Sequence, residues 1–150
     1  MGREGLLFLK KVNKDEKIPF SKALKLLSKK NYSENELREK LKLFDNEVID
    51  KVIEKLKEVG FIDDKKYALY IVEKCLEKKK GLYYIINTLR RKGIDEEIIN
   101  KIKENFDFEK EYKTAQALIK KRKKKGKNNL FLYLRGRGFS SETINKLIER

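Results

Sequence analysis

The feature that most limits what this chain can become is a helix boundary written three times. Phe44-Asp45 with Ile49, Ile94-Asp95 with Ile99, and Phe139-Ser140 with Ile144 each set an apolar residue, a capping residue and, four further on, another apolar residue. Asp or Ser at such a place accepts hydrogen bonds from the unpaired amides of a first helical turn, and the apolar pair staples the entry. Two of the three follow a helix end of one design. Leu89-Arg90-Arg91-Lys92-Gly93-Ile94 and Leu134-Arg135-Gly136-Arg137-Gly138-Phe139 put glycine in the left-handed position after the helix, with an apolar residue next that can touch the leucine. The first copy, Leu41-Lys42-Leu43-Phe44-Asp45, lacks the glycine and is two residues shorter. Punctuation of this kind marks a tandem repeat.

Helical periodicity fills the space between the boundaries. Phe20, Ala23, Leu24 and Leu27 make one apolar stripe, and Ser33 to Glu36 reads as a capping box stapled by Tyr32 and Leu37. Ile49, Val52, Ile53 and Leu56 make a third stripe that closes near Gly60. The second unit starts at Asp63 or Asp64 and turns Tyr67, Ala68, Ile71, Val72 and Cys75 inward; Leu82, Ile85, Ile86 and Leu89 follow, then Ile98, Ile99, Ile102 and Phe106. The third runs through Tyr112, Ala115, Leu118 and Ile119, then Leu130, Phe131 and Leu134, then Ile144, Leu147 and Ile148. The expected fold is all-α, as three-helix repeats near residues 20–62, 63–106 and 107–150. Pro19 belongs to a first helical turn. Residues 1–19 form a leader that is either disordered or a small hairpin, Leu6 to Val12 pairing with Lys17 to Phe20 around Asn13–Glu16.

Composition narrows the function. With 42% charged and 39% hydrophobic residues, several small helical cores fit better than one large core. One cysteine precludes an internal disulfide and suits a reducing cytosol. The absence of histidine removes the commonest metal ligand and the commonest general base near neutral pH, so neither zinc nor another cofactor is expected. The run Gly5 to Leu9, followed by Lys10 and Lys11, is too short for a signal peptide. No stretch approaches the roughly 20 apolar residues of a membrane span, which leaves a soluble, cytoplasmic protein as the expectation.

Net charge is +15, which points to polyanionic partners. Residues 110–150 hold 13 Lys and Arg against three acids, so +10 of that charge sits there. Lys120, Lys121, Arg122, Lys123, Lys124, Lys125 and Lys127 form a run denser than capping or solubility requires, and it reads as an anion-binding segment. A second basic site gathers Lys78, Lys79 and Lys80 with Tyr83, then Arg90, Arg91 and Lys92. Tyr83, Asn87 and Arg90 share the side of their helix away from Leu82, Ile86 and Leu89, where cations beside a tyrosine suit phosphate and a stacked base. Tyr84 either joins them or packs between helices. Arg135 and Arg137 hold the matching place in the third unit, beside Tyr133. Asp63-Asp64 and Asp95-Glu96-Glu97 are better explained by capping and the helix dipole than by catalysis. Cys75 lies on an apolar stripe as a small core residue. With no nucleophile–base pair and no phosphate-cradling glycine loop, an enzyme is not expected.

Ile62-Asp63-Asp64 with Tyr67-Ala68, Gly81, Ile85, Leu89 and Lys92-Gly93-Ile94, and Arg137-Gly138-Phe139-Ser140 with Glu142 and Ile144, in that order, resemble the RecX family over residues 20–150. The resemblance implies tandem three-helix units in an elongated, curved arrangement. It also implies binding to RecA and RecA–DNA filaments, with modulation, usually inhibition, of recombinase ATPase, strand exchange and co-protease activity in DNA repair and the SOS response. Tyr84 stands where that family often has a basic residue. DNA would be met by the basic face of a monomer. The rivals are a helix-turn-helix DNA-binding protein, an enzyme using Asp63 and Asp64, and a pure interaction scaffold.

Overall fold

A computed structural model describes residues 12–122 and 127–149, the side chains of residues 127 and 128 excepted. The described residues form nine α-helices and one short 3-10 turn, with no strand among them. We number the helices α1 (Lys17–Leu27), α2 (Glu34–Lys40), α3 (Asn46–Glu58), α4 (Asp64–Glu77), α5 (Leu82–Arg91), α6 (Glu96–Glu104), α7 (Phe108–Lys121), α8 (Lys127–Gly136) and α9 (Ser141–Ile148). They form three repeats of three helices, so the all-helical reading of the sequence holds.

Residues 12–19 depart from the expected leader. A 3-10 turn, Lys14–Glu16, runs directly into α1, so Lys17 to Phe20 are helical rather than a hairpin strand. Leu6 to Lys11, in the other half of that hairpin, lie outside the described residues. The cause is a buried charge: Glu16 is fully enclosed, ion-paired with Lys55 of α3, and accepts a hydrogen bond from the Asn13 amide at 3.4 Å. Val12 joins the core beside it. A buried charge so placed is tolerable only with its partners present, which ties the segment down.

Two compact units make up the chain, one running to Tyr67 and including Lys92–Ile94, the other holding Ala68–Arg91 with Asp95 onward. In the first, Phe20, Ala23, Leu24, Leu37, Leu41, Ile49, Val52, Ile53 and Leu56 make one core. In the second, Ala115, Leu134, Phe139 and Ile144 pack with Leu118, Ile119, Leu130 and Leu147. Cys75 is buried there, and burial pushes its thiol pKa up, only partly offset by a hydrogen bond with Thr88.

The glycine ends adopt the backbone expected of them. Gly60, Gly93 and Gly138 have φ of 78°, 78° and 84°. After α3 and after α8 the long bond of a left-handed cap forms, Phe61 N–H to Leu56 O at 2.9 Å and Phe139 N–H to Leu134 O at 3.2 Å. Lys79 ends α4 in the same way with φ 60°, a conformation side chains seldom take. The starts are less uniform. Ser33 forms both halves of its capping box with Glu36, each at 3.0 Å, and Ser140 accepts from the Thr143 amide at 3.3 Å. Asp45 and Asp95 sit at the cap position with extended backbone, but their side chains make no capping hydrogen bond. There the staple and the backbone bonds to their carbonyls start the helix, and the carboxylate acts only through the dipole.

Candidate nucleic-acid or filament interface

The second compact unit brings the turn between α4 and α5 against the turn between α8 and α9. Gly81 N–H donates to Arg137 O at 3.0 Å and Tyr83 N–H to Gly138 O at 2.8 Å. Two bare backbones meet here. A methyl on Gly81 would lie 2.3 Å from the Phe139 Cα, and one on Gly138 would lie 2.4 Å from the Tyr84 Cβ. The carboxylate of Glu111, a residue 3% exposed, holds the junction. It accepts from the Leu82 amide at 2.8 Å, the Ser140 amide at 3.1 Å and the Ser140 hydroxyl at 2.5 Å. One buried anion thus serves the first turns of α5 and α9, where amides are unpaired and the dipole favours negative charge.

On the outside of this junction the cations gather. Arg137 donates to the carbonyls of Lys78 at 2.6 Å and Lys79 at 3.3 Å, which fixes its guanidinium beside the lysine turn. Its guanidinium carbon is 5.9 Å from the Tyr133 ring centre, and that of Arg122 is 3.8 Å from the same ring. Lys80 lies over the ring of Tyr84 at 4.7 Å. Tyr84 therefore packs between the turns, with a lysine on its face. Lys78 and Lys79 are exposed. Among the described residues, none of Lys78, Lys79, Lys80, Arg122, Arg135 or Arg137 is ion-paired with a carboxylate. Cations without carboxylate partners, some of them lying on tyrosine rings, are chemically suited to a phosphodiester chain.

The other residues singled out in the sequence are distributed differently. Lys120 and Lys121 end α7 exposed; Lys123, Lys124 and Lys125 lie outside the described residues, and Lys127 opens α8. Tyr83 is 49% exposed on α5, and Arg135 is exposed on α8 with its guanidinium 5.9 Å from the Phe131 ring. Arg90 is not a free cation: it makes a two-pronged ion pair with Glu96 at 2.7 and 3.3 Å, which raises its pKa. Arg91 is exposed and donates to the Thr88 hydroxyl at 3.2 Å. Lys92, in the first compact unit, faces Glu36 at 3.9 Å. Asp63 caps α4, accepting from the Lys66 amide at 3.2 Å, whereas Asp64, the first residue of α4, accepts from the Glu34 amide at the start of α2 at 2.9 Å. Sequence reasoning misses Glu111. Its signal is a glutamate four residues before Ala115 and seven before Leu118, a charge on an apolar stripe.

Among the described residues no helix is long and apolar enough to cross a membrane. Residues 20–56 match the family model described as RecX, first three-helix domain. The chain is 32% identical over 143 residues to Regulatory protein RecX of Chlorobium phaeobacteroides, covering 91% of this chain and 95% of that one. It is 33% identical over 131 residues to Regulatory protein RecX of Caldanaerobacter subterraneus, spanning 84% of this chain but 66% of that longer relative. The fold is similar to the crystal structure of RecX from Lactobacillus salivarius, with a TM-score of 0.79 at 25% identity over 90% of this chain and 95% of that one.

Proposed function

The chain belongs to the RecX family, and from that premise we propose that it is a non-catalytic, cytoplasmic regulator that binds RecA and its DNA filament and restrains the recombinase. Its relatives are named regulatory proteins rather than enzymes. The observation that carries the reading furthest is the cation group of the second compact unit, which has no carboxylate ion pair among the described residues: Arg122 and Arg137 lie against Tyr133, Lys80 lies over Tyr84, and Arg137 is fixed on the turn that carries Lys78 and Lys79. Those residues, with Arg91, Arg135 and the lysine run Lys120–Lys127, are the contact surface for filament phosphate. Arg90, paired with Glu96, and Lys92, which faces Glu36, contribute less. Tyr83 supplies an exposed ring on the same helix as Arg91. Binding as a monomer, the chain would spread weak contacts along neighbouring positions of a filament and gain from their avidity.

The test is the single-strand-DNA-dependent ATPase of the cognate RecA, titrated with this protein at physiological salt beside an unrelated DNA-dependent ATPase. Suppression of RecA alone at substoichiometric protein is the expected result, and it should weaken at least tenfold in a Lys78→Glu/Lys79→Glu/Arg122→Glu variant. Equal suppression of both ATPases would reduce the protein to a basic DNA binder and overturn the reading.

A further inference from the structure

The middle helices of the second and third repeats align without a gap. An offset of 45 carries Leu89 onto Leu134 and Gly93 onto Gly138, and the same offset carries Ile86 and Asn87 onto Phe131 and Leu132. The environments at these matched positions differ. Ile86 is 3% exposed, whereas Phe131 is 36% and Leu132 64% exposed. Asn87 is a polar residue at an exposed position, as is Glu39 at the matching place in α2. At these matched positions only the third repeat turns two large apolar side chains outward. Exposed apolar groups set together among charges are the mark of an interaction surface rather than of a solvated helix.

We propose that this face of α8, Phe131 and Leu132 with Arg135 one turn on, docks a helical segment of another protein that carries an apolar stripe flanked by carboxylates. Two observations specify that occupant. Arg135 is exposed, has no ion pair among the described residues, and keeps its guanidinium 5.9 Å from the Phe131 ring, so the apolar patch comes with a cation. The surrounding sequence, residues 110–150, has a net charge of +10, which favours an acidic partner. A nucleic acid would gain from the phosphate-seeking arginine but not from Leu132, an aliphatic group on which no base stacks well. Apolar side chains of a helix bury both residues, in the manner of helix-in-groove recognition.

The surface goes beyond the recombinase reading, and its test contains no recombinase. The probe is a fluorescein-labelled helical peptide, about five turns long, with Leu and Phe at every third and fourth position and Asp and Glu elsewhere. A permuted peptide of the same composition, lacking the stripe, isolates charge from shape, and a short single-stranded DNA isolates nucleic-acid binding. Anisotropy at about 0.15 M salt should give the striped peptide at least tenfold tighter binding than the permuted one. That preference should vanish in Phe131→Ser/Leu132→Ser, with DNA affinity unchanged within twofold and the helical circular-dichroism spectrum retained. Arg135→Glu should weaken the striped peptide fivefold or more. Equal binding of the two peptides, or an unchanged preference in the double variant, overturns the proposal. So does a wild-type dimer in light scattering that the double variant dissolves, since the occupant would then be a second copy.

Discussion

The middle helices of the first two repeats are seated by one plan and two chemistries. At α2 the seat is polar and open: Asp64 takes the Glu34 amide, the Ser33 hydroxyl donates to Lys92 O, and Asn35 donates its side-chain amide to Gly93 O at 2.7 Å. At α5 the seat is backbone on backbone, with the enclosed Glu111 at its centre. The charges follow suit. Around α2 the cations are answered by acids: Lys57 and Arg38 by Glu34, Lys92 by Glu36. At the α5 seat Glu111 is consumed by amides and a hydroxyl, and the lysines and arginines outside meet no carboxylate among the described residues. A carboxylate spent on helix ends inside the junction cannot neutralise the arginines outside it. The same repeat thus yields a self-satisfied seat in one place and an anion-seeking one in the other.

Glycine replacements give the widest separation between the two seats. Gly138→Ala combines a positive φ with contact at 2.4 Å against Tyr84, backbone nitrogen included, and should cost about 3 kcal/mol or more in denaturant unfolding. Gly93→Ala has a similar φ but a milder contact, 2.8 Å to the Asn35 Cβ with no backbone atom of a neighbour close by, so about 2 kcal/mol is expected. Gly60→Ala, with φ 78° and nothing within 4 Å, isolates the backbone strain at about 1 kcal/mol. Equal losses at Gly93 and Gly138 would mean that the close backbone approach at α5 adds nothing.

The carboxylates sharpen the contrast next. Glu111→Ala strands two buried amides and should cost about 2–3 kcal/mol, with Glu111→Gln recovering part of it by keeping an acceptor. Asp64→Ala, at a half-buried position that serves the Glu34 amide, should cost about 1 kcal/mol, the worth of an ordinary cap. Chemical unfolding of the three variants side by side checks the order, and Asp64 costing more than Glu111 would invert the picture.

What the sequence makes legible follows from how local each device is. A left-handed glycine after a helix, or a serine with a glutamate three residues on, is chemistry among neighbours, and Gly93, Gly138 and Ser33 can be read from their surroundings. Glu111 works on residues 29 positions away in either direction, Leu82 and Ser140, so no local window contains its reason for being buried. Arg90 and Arg137 look alike in sequence for the same cause. One meets Glu96 just beyond its own helix, and the other meets the carbonyls of a turn 58 and 59 residues earlier. Glu16 finds its place in the fold only through Lys55, 39 residues on, so its own neighbourhood reads equally as a hairpin or as disorder.

A smaller effect, on DNA, tests whether the cation imbalance matters. Each phosphate contact on a single strand contributes about 0.7 to the dependence of log affinity on log salt, so Lys78→Glu/Lys79→Glu should lower that slope by about 1.4. Affinity near 0.15 M salt should fall by roughly tenfold. Lys92→Glu, removing a cation already answered by Glu36, should move neither by more than a third of that amount. Filter-binding titrations between low and moderate salt separate the two, and matching slopes would show that both seats contact the strand.

The smallest effect is a pH dependence confined to the α2 seat. Burial tends to raise the pKa of Glu34, but hydrogen bonds and charge from Lys57 and Arg38 outweigh it and hold the carboxyl below its usual 4.5. A carboxylate whose folded pKa lies below its unfolded one binds protons more weakly when folded. Its contribution is therefore complete above about pH 4.5 and is lost as pH falls through the folded pKa. Because the side chain is partly open to water, the loss should stay near 0.5 kcal/mol. Amide exchange at Leu37 and Leu41, both buried at the foot of the α2 seat, should accelerate about twofold between about pH 5 and pH 3.5 after correction for intrinsic rates. Glu34→Gln should flatten that change while leaving exchange at Ile85 and Leu89 of α5 untouched. An equal acceleration in α5 would place the acid-sensitive group elsewhere and erase the distinction between a seat that answers its own charges and one that does not.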